Sequence, residues 1–244
     1  MNNHNNFILS PVTDILKSAV TAAAGIGSGI ETYPLCDYIM QSVFLKMTGF
    51  QEQKMKCICW EFANNDYVYR YERYTNKTLG ECSSYKEKKS VYQDIVKQIE
   101  KQCGNFDIST KINKVGILQD TTIDISNIFP ESNLSIWTQR KYDEFVNIWK
   151  GIKNTDFAND KENLFTGVIG RVSLIDIYEN HLYKHRNRCA HNTQSYQQNL
   201  PTLKNLVNEN YQYENYFVWF SILVLIDKLF IALYVKYLDA LQDD

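Results

Sequence analysis

The chain has few residues that bend or break a backbone: 4 prolines and 10 glycines in 244 residues. That scarcity excludes a low-complexity chain, and 44% hydrophobic with 22% charged residues is a globular composition with enough length to bury a core. Charge of one sign is also lacking. The formal charge is -2, so no chain-wide coat for nucleic acid exists, and any polyanion site must come from local charge. The 6 cysteines do not form the dense framework of a small secreted protein. No basic segment followed by an apolar one opens the sequence. Together these features predict a reducing, cytoplasmic compartment. No internal repeat or heptad run is present. The glycine-containing stretch "GIGSGI" lacks the Lys-Ser/Thr of a phosphate loop and reads as a bend between helices.

Helical periodicity fills most of the chain. Pro11 and Pro34 stand where prolines start helices. The first leads into "VTDILKSAVTAAAG", and the second into "LCDYIMQSVFLKMTG", which Gly49 is expected to end. Another helix is expected through "FQEQKMKCICWEFANNDYVYRYERY", broken near Ala63-Asn64-Asn65, and one more from Tyr85. Cys57 and Cys59 are two apart, which places them on different sides of a helix and predicts core cysteines. Between Gly104 and Glu131 the period fades, which leaves either one or two short strands or an irregular connection. Helix returns at "SIWTQRKYDEFVNIWKGI", and "KNTDFANDKEN" is polar enough for a subdomain boundary. Beyond it, Leu164, Val168, Val172, Ile175 and Tyr178 form one stripe, and a short helix is expected behind Pro201. The run from Tyr216 to Leu238 is apolar enough to suggest a membrane span. Asp227 and Lys228 at its centre instead predict a buried core helix whose polar pair reaches an edge or an interface, with no membrane involved. The expected fold is mostly α, with residues 1–160 an N-terminal helical region and 161–244 a region carrying the chemistry, the two parts open to being one enlarged domain.

The chemistry centres on "LYKHRNRCAHNTQSY", where Lys184–His191 contains three basic side chains and two histidines without an acid. Arginine offers phosphate a planar, permanently charged fork, and histidine passes protons near neutrality. Cutting a phosphodiester needs both. Metal-dependent nucleases instead need several acids to hold magnesium, and none stands here. His181, His185 and Cys189 share a helical face that could suit zinc, but Lys184, Arg186 and Arg188 would repel a cation. A solvated or structural stripe is a further alternative. Asn187 and His191 share a face, whereas Arg186 and His191 are five apart, about 140° around an ideal helix. They converge only if the helix ends between them or if a second chain contributes.

The segment Arg186-Asn187-Arg188-Cys189-Ala190-His191 resembles the Arg-Asn-x-x-x-His form of the motif of HEPN domains, which are small all-helical domains common among prokaryotic ribonuclease toxins and defence proteins. The "AHN" ending and the long apolar terminal helix add to the resemblance, which covers Asn163 to Asp244. It implies an HEPN-like helical bundle with additional N-terminal helices. It also implies metal-independent RNA cleavage by Arg186 and His191, ordering of the site by Asn187, no cofactor, and a homodimer in which two motifs face one cleft. A toxin or defence setting brings an antitoxin or defence partner as a further expectation. An acid on the preceding helix often accompanies such motifs, and Asp176 and Glu179 are the candidates. On physical grounds Lys184, His185 and Arg188 are expected to track the RNA backbone. Arg186 and Arg188 are also expected to favour a thiolate at Cys189. An RNA- or nucleotide-binding module that does not cut, and a regulatory helical protein, are the alternatives.

Overall fold

The computed structural model describes residues 3–27, 29–76, 80–130, 132–136, 138–191 and 209–242, with the side chains of residues 76, 191, 209 and 210 outside that description. The short helix expected behind Pro201 lies outside the described residues. The chain is mostly α-helical, a bundle built around its last helix. Two short helices, α1 (Asn3–Leu9) and α2 (Thr13–Ala23), precede the long α3 (Tyr33–Asn65). A brief α4 (Tyr67–Tyr71) leads to α5 (Tyr85–Cys103). Then come α6 (Ile108–Lys111), α7 (Lys114–Ile128), α8 (Asn133–Ile136) and α9 (Gln139–Lys150). The last part holds α10 (Leu174–Ile177), α11 (Tyr183–His191) and α12 (Tyr216–Ala240).

Local chemistry accounts for most boundaries. Asp66 ends α3 and starts α4 by accepting from the Val68 and Tyr69 amides, which places the break one residue past Asn65. Ser84 and Glu87 form a reciprocal capping box at the start of α5. Gly49 does not end its helix, and α3 runs through it to Asn65. A mid-helix glycine costs about 1 kcal/mol, whereas burying each of Phe44, Met47, Met55 and Ile58 on the same helix contributes about 1.5–3 kcal/mol. Tertiary burial wins.

The fading period between Gly104 and Glu131 conceals a helix rather than strands. In α7, Asn113 accepts from the Gly116 amide, and the Thr121 and Thr122 hydroxyls donate to the carbonyls one turn back. Ile117, Thr121 and Ile125 recur every four residues and are buried where α7 packs on α12. The only β-type pairing among the described residues is one isolated antiparallel bridge, Phe157 to Phe165. It closes the segment expected to be a boundary, and Phe157, Ala158, Leu164 and Phe165 are all buried. Arg171 pins the same segment through both carboxylate oxygens of Asp156, each 2.6 Å away. Consequently the stripe from Leu164 to Tyr178 is not one helix. Gly170 (φ 83°) takes a left-handed turn, and the helix begins only after Ser173.

Helix α12 is long and apolar enough to cross a membrane by composition, but protein covers most of it. It packs against α1, α3, α5, α7 and α9, so residues on both sides of position 160 share one core. Its two central charges are both used. Asp227 meets Lys54 at 2.5 Å with both side chains 1% exposed, and Lys228 meets Asp124 at 2.8 Å nearer the surface.

Candidate functional site

The basic stretch is presented by a short, firmly anchored helix. Ser173 and Asp176 form a capping box at the start of α10, so Asp176 is committed to the backbone. A single wide turn over Tyr178–Leu182 follows, in which the Tyr183 amide bonds the Tyr178 carbonyl five residues back. Buried Tyr178 and Leu182 fix this turn, and the Tyr178 hydroxyl donates to the Ser83 carbonyl at 2.8 Å. The next residues form α11.

Arg186 leaves α11 toward α3. Its Nη2 lies 3.1 and 3.2 Å from the two carboxylate oxygens of Glu52, and its Nη1 donates to Asn187 Oδ1 at 3.2 Å. The arginine side chain is 18% exposed and the glutamate 9%, so the pair is largely covered with one side reachable from solvent. Lys88 lies in the same interior region, donating to the Cys82 carbonyl at 3.0 Å. It is 3.8 Å from the Met55 sulfur and 6.0 Å from the Tyr178 ring centroid. Burial pulls its ammonium down to about 8, opposed mainly by the negative charge of Glu52.

The other expected site residues go to different places. Lys184 is exposed and donates to Asn180 Oδ1 at 3.1 Å. Arg188 donates to one oxygen of Glu214 at 3.3 Å, while His181 meets the other at 2.9 Å. His185, expected on the RNA-facing surface, turns inward among aromatic rings. Its ring packs tilted against Trp219 (4.6 Å between centroids) and Phe44 (5.5 Å), and its Nε2 lies 2.9 Å from the Tyr216 hydroxyl. Burial, aided by the nearby Arg188, lowers its pKa to about 4, so near neutrality it is an uncharged core imidazole. Four-residue spacing brings Cys189 to 3.3 Å from the same nitrogen. The expected thiolate is not favoured there, because burial pushes the Cys189 thiol up despite Gln41 and Arg188. His191 is the last residue of α11, and its imidazole lies outside the described side chains. The helix therefore runs unbroken from Arg186 to His191.

The structure thus brings Arg186 and Asn187 together and adds a partner from more than a hundred residues away. Neither Asp176 nor Glu179 meets the arginine in the described contacts; the acid there is Glu52. Sequence marks Glu52 and Lys88 only as polar residues on the buried faces of their helices, one turn from Met55 and from Val91 respectively. Among the described residues no three His, Cys, Asp or Glu side chains converge as a metal site. A separate cleft, in which Arg73 pairs with Asp94 and Lys161 with Glu100, contains no residue of the motif. No family model, curated protein or solved structure gives a significant match to this chain.

Proposed function

We propose that this chain is a metal-independent endoribonuclease of the HEPN-like kind, acting on single-stranded or looped RNA in the cytoplasm. The observation that supports it best is the Arg186 guanidinium, oriented by Glu52 and Asn187 and partly open to solvent, on the helix that ends in His191. In the proposed reaction the ribose 2′-oxygen loses its proton to a base, forms a bond to the adjacent phosphorus, and the bond from phosphorus to the 5′-oxygen breaks. The leaving oxygen takes up a proton, which yields a 2′,3′-cyclic phosphate and a 5′-hydroxyl. His191 moves protons, and Arg186 holds the charge that develops on the phosphoryl oxygens. Exposed Lys184 and half-exposed Arg188 contact the RNA backbone.

A homodimer belongs to the same proposal. On a continuous helix Arg186 and His191 are about 140° apart, so one chain's arginine works with its partner's histidine across a shared cleft. Sedimentation equilibrium over the micromolar range checks this; a monomer throughout contradicts it. A toxin or phage-defence setting, with a restraining partner, is the wider context we propose. One observation favours a second reading, a module that grips RNA without cutting it: a carboxylate already occupies Arg186. Labelled single-stranded RNA incubated with the protein in excess EDTA separates the two. Cleavage to cyclic-phosphate ends supports the enzyme, and retention of intact RNA supports the module.

A further inference from the structure

Glu52 poses an electrostatic problem for the proposed ribonuclease. A buried carboxylate against Arg186 orients the guanidinium but also cancels its charge, and a neutral pair binds phosphate poorly. The surroundings contain the compensation. Met55, one turn after Glu52 on the buried face of α3, touches Lys88, and Tyr178, on the turn that leads into α11, lies beneath the same ammonium. Glu52, Lys88 and Arg186, from α3, α5 and α11, therefore border one interior region around Met55 and Tyr178, and these three charges sum to +1 when Lys88 is protonated. We propose that Lys88 is a positioning residue of the candidate site, whose buried ammonium offsets the Glu52 carboxylate so that Arg186 is oriented by Glu52 and still attracts an RNA phosphate. This rests on the ribonuclease reading above.

Cys82 is pushed up to about 11 by burial, and the Tyr178 hydroxyl is driven well above its ordinary value, so both stay neutral. Glu87 accepts from the Ser83 and Ser84 amides at the start of α5. Lys56 pairs with Glu81, which raises its pKa. Because the folded pKa of Lys88 is near 8, its ammonium offsets Glu52 below that pH and is lost above it.

The test uses Lys88→Met, which removes charge at nearly constant volume and relieves an expensive burial, so the melting temperature should hold or rise. At about pH 7 in EDTA, Lys88→Met is expected to raise KM for a single-stranded RNA about tenfold while kcat stays within about threefold. The double variant Glu52→Gln/Lys88→Met restores the +1 sum and should bring KM back to within about threefold of wild type. Wild-type KM should climb as the pH rises from about 7 to 9, whereas that of Lys88→Met should stay flat. A folded Lys88→Met protein with the wild-type KM overturns the proposal, and so does a double variant no better than Lys88→Met. Either result beside a cleaving wild type sinks this inference alone. A wild type that neither binds nor cuts RNA removes the ribonuclease reading and this inference with it.

Discussion

Two residues apart on α3, Glu52 and Lys54 each make a charged contact with a distant helix, and the contacts serve different ends. Lys54 meets Asp227 at 2.5 Å and the Ser10 carbonyl at 2.6 Å, while Asp227 also accepts from the Val12 amide at 2.9 Å. Both side chains are 1% exposed. Burial pulls the Lys54 ammonium down and pushes the Asp227 carboxyl up, each opposed by its partner. That pair ties the start of α2, the middle of α3 and the centre of α12 into one register. The Glu52–Arg186 pair keeps an open side, with the arginine 18% exposed. A sealed pair can only hold the fold, whereas an open one can exchange a partner for phosphate.

The largest expected effect breaks the sealed pair. Asp227→Ala leaves a buried ammonium uncompensated and should cost about 3–5 kcal/mol of stability, read by urea denaturation. Replacing both partners with apolar residues, Lys54→Met with Asp227→Leu, should recover most of that loss. If the single change costs under about 1 kcal/mol, the pair is not the tie described.

Next comes the open pair, where stability and activity should separate. Arg186→Ala is expected to lower kcat by about 10²–10³, the loss typical of one oxyanion-stabilising donor, while weakening RNA binding and leaving a folded protein. An Arg186→Ala protein that unfolds as completely as Asp227→Ala would place both pairs in the same structural role.

A third carboxylate sharpens the contrast through pH. Burial would raise the Asp66 carboxyl, but hydrogen bonds from Lys101, Gln98 and the Tyr69 amide outweigh it and hold the group at about 2. Since its folded pKa lies below the unfolded value of about 3.9, its contribution is present above that pH and lost as the pH falls toward 2. Asp66→Ala should cost about 1–2 kcal/mol as a lost cap and flatten the acid limb of stability against pH. The smallest effect belongs to Cys189→Ala. RNA supplies its own nucleophile and the thiol faces His185, so the variant should keep at least about a tenth of the cleavage rate, a loss of at most about 1.4 kcal/mol.

Periodicity and caps were sufficient to read α5, where apolar residues recur on one face, and the break beside Asn65, while a continuous apolar run was sufficient to read α12. They were insufficient at Gly49 and in α7, because burial on α12 overrides a glycine and a run of β-branched residues whose local preferences point elsewhere. The stripe from Leu164 to Tyr178 misled because a 3.6-residue spacing cannot show that Gly170 turns the chain before Ser173 caps it. Arg186, Asn187 and their contact were legible because they are adjacent. His185 was misplaced because its neighbours in sequence are basic, while its neighbours in space, Phe44, Tyr216 and Trp219, come from two other helices. Glu52 and Lys88 were not legible beside the motif, since only the packing of α3 against α11, and of Lys88 on α5 over Tyr178, brings them near it.

The most direct test of the central claim is a gel assay of end-labelled single-stranded RNA in excess EDTA, comparing wild type with folded His191→Ala and including end-group analysis. Cleavage by wild type to 2′,3′-cyclic phosphate and 5′-hydroxyl ends is predicted, with loss of cleavage but retention of most RNA binding in His191→Ala. A His191→Ala protein that cuts at the wild-type rate would contradict the account.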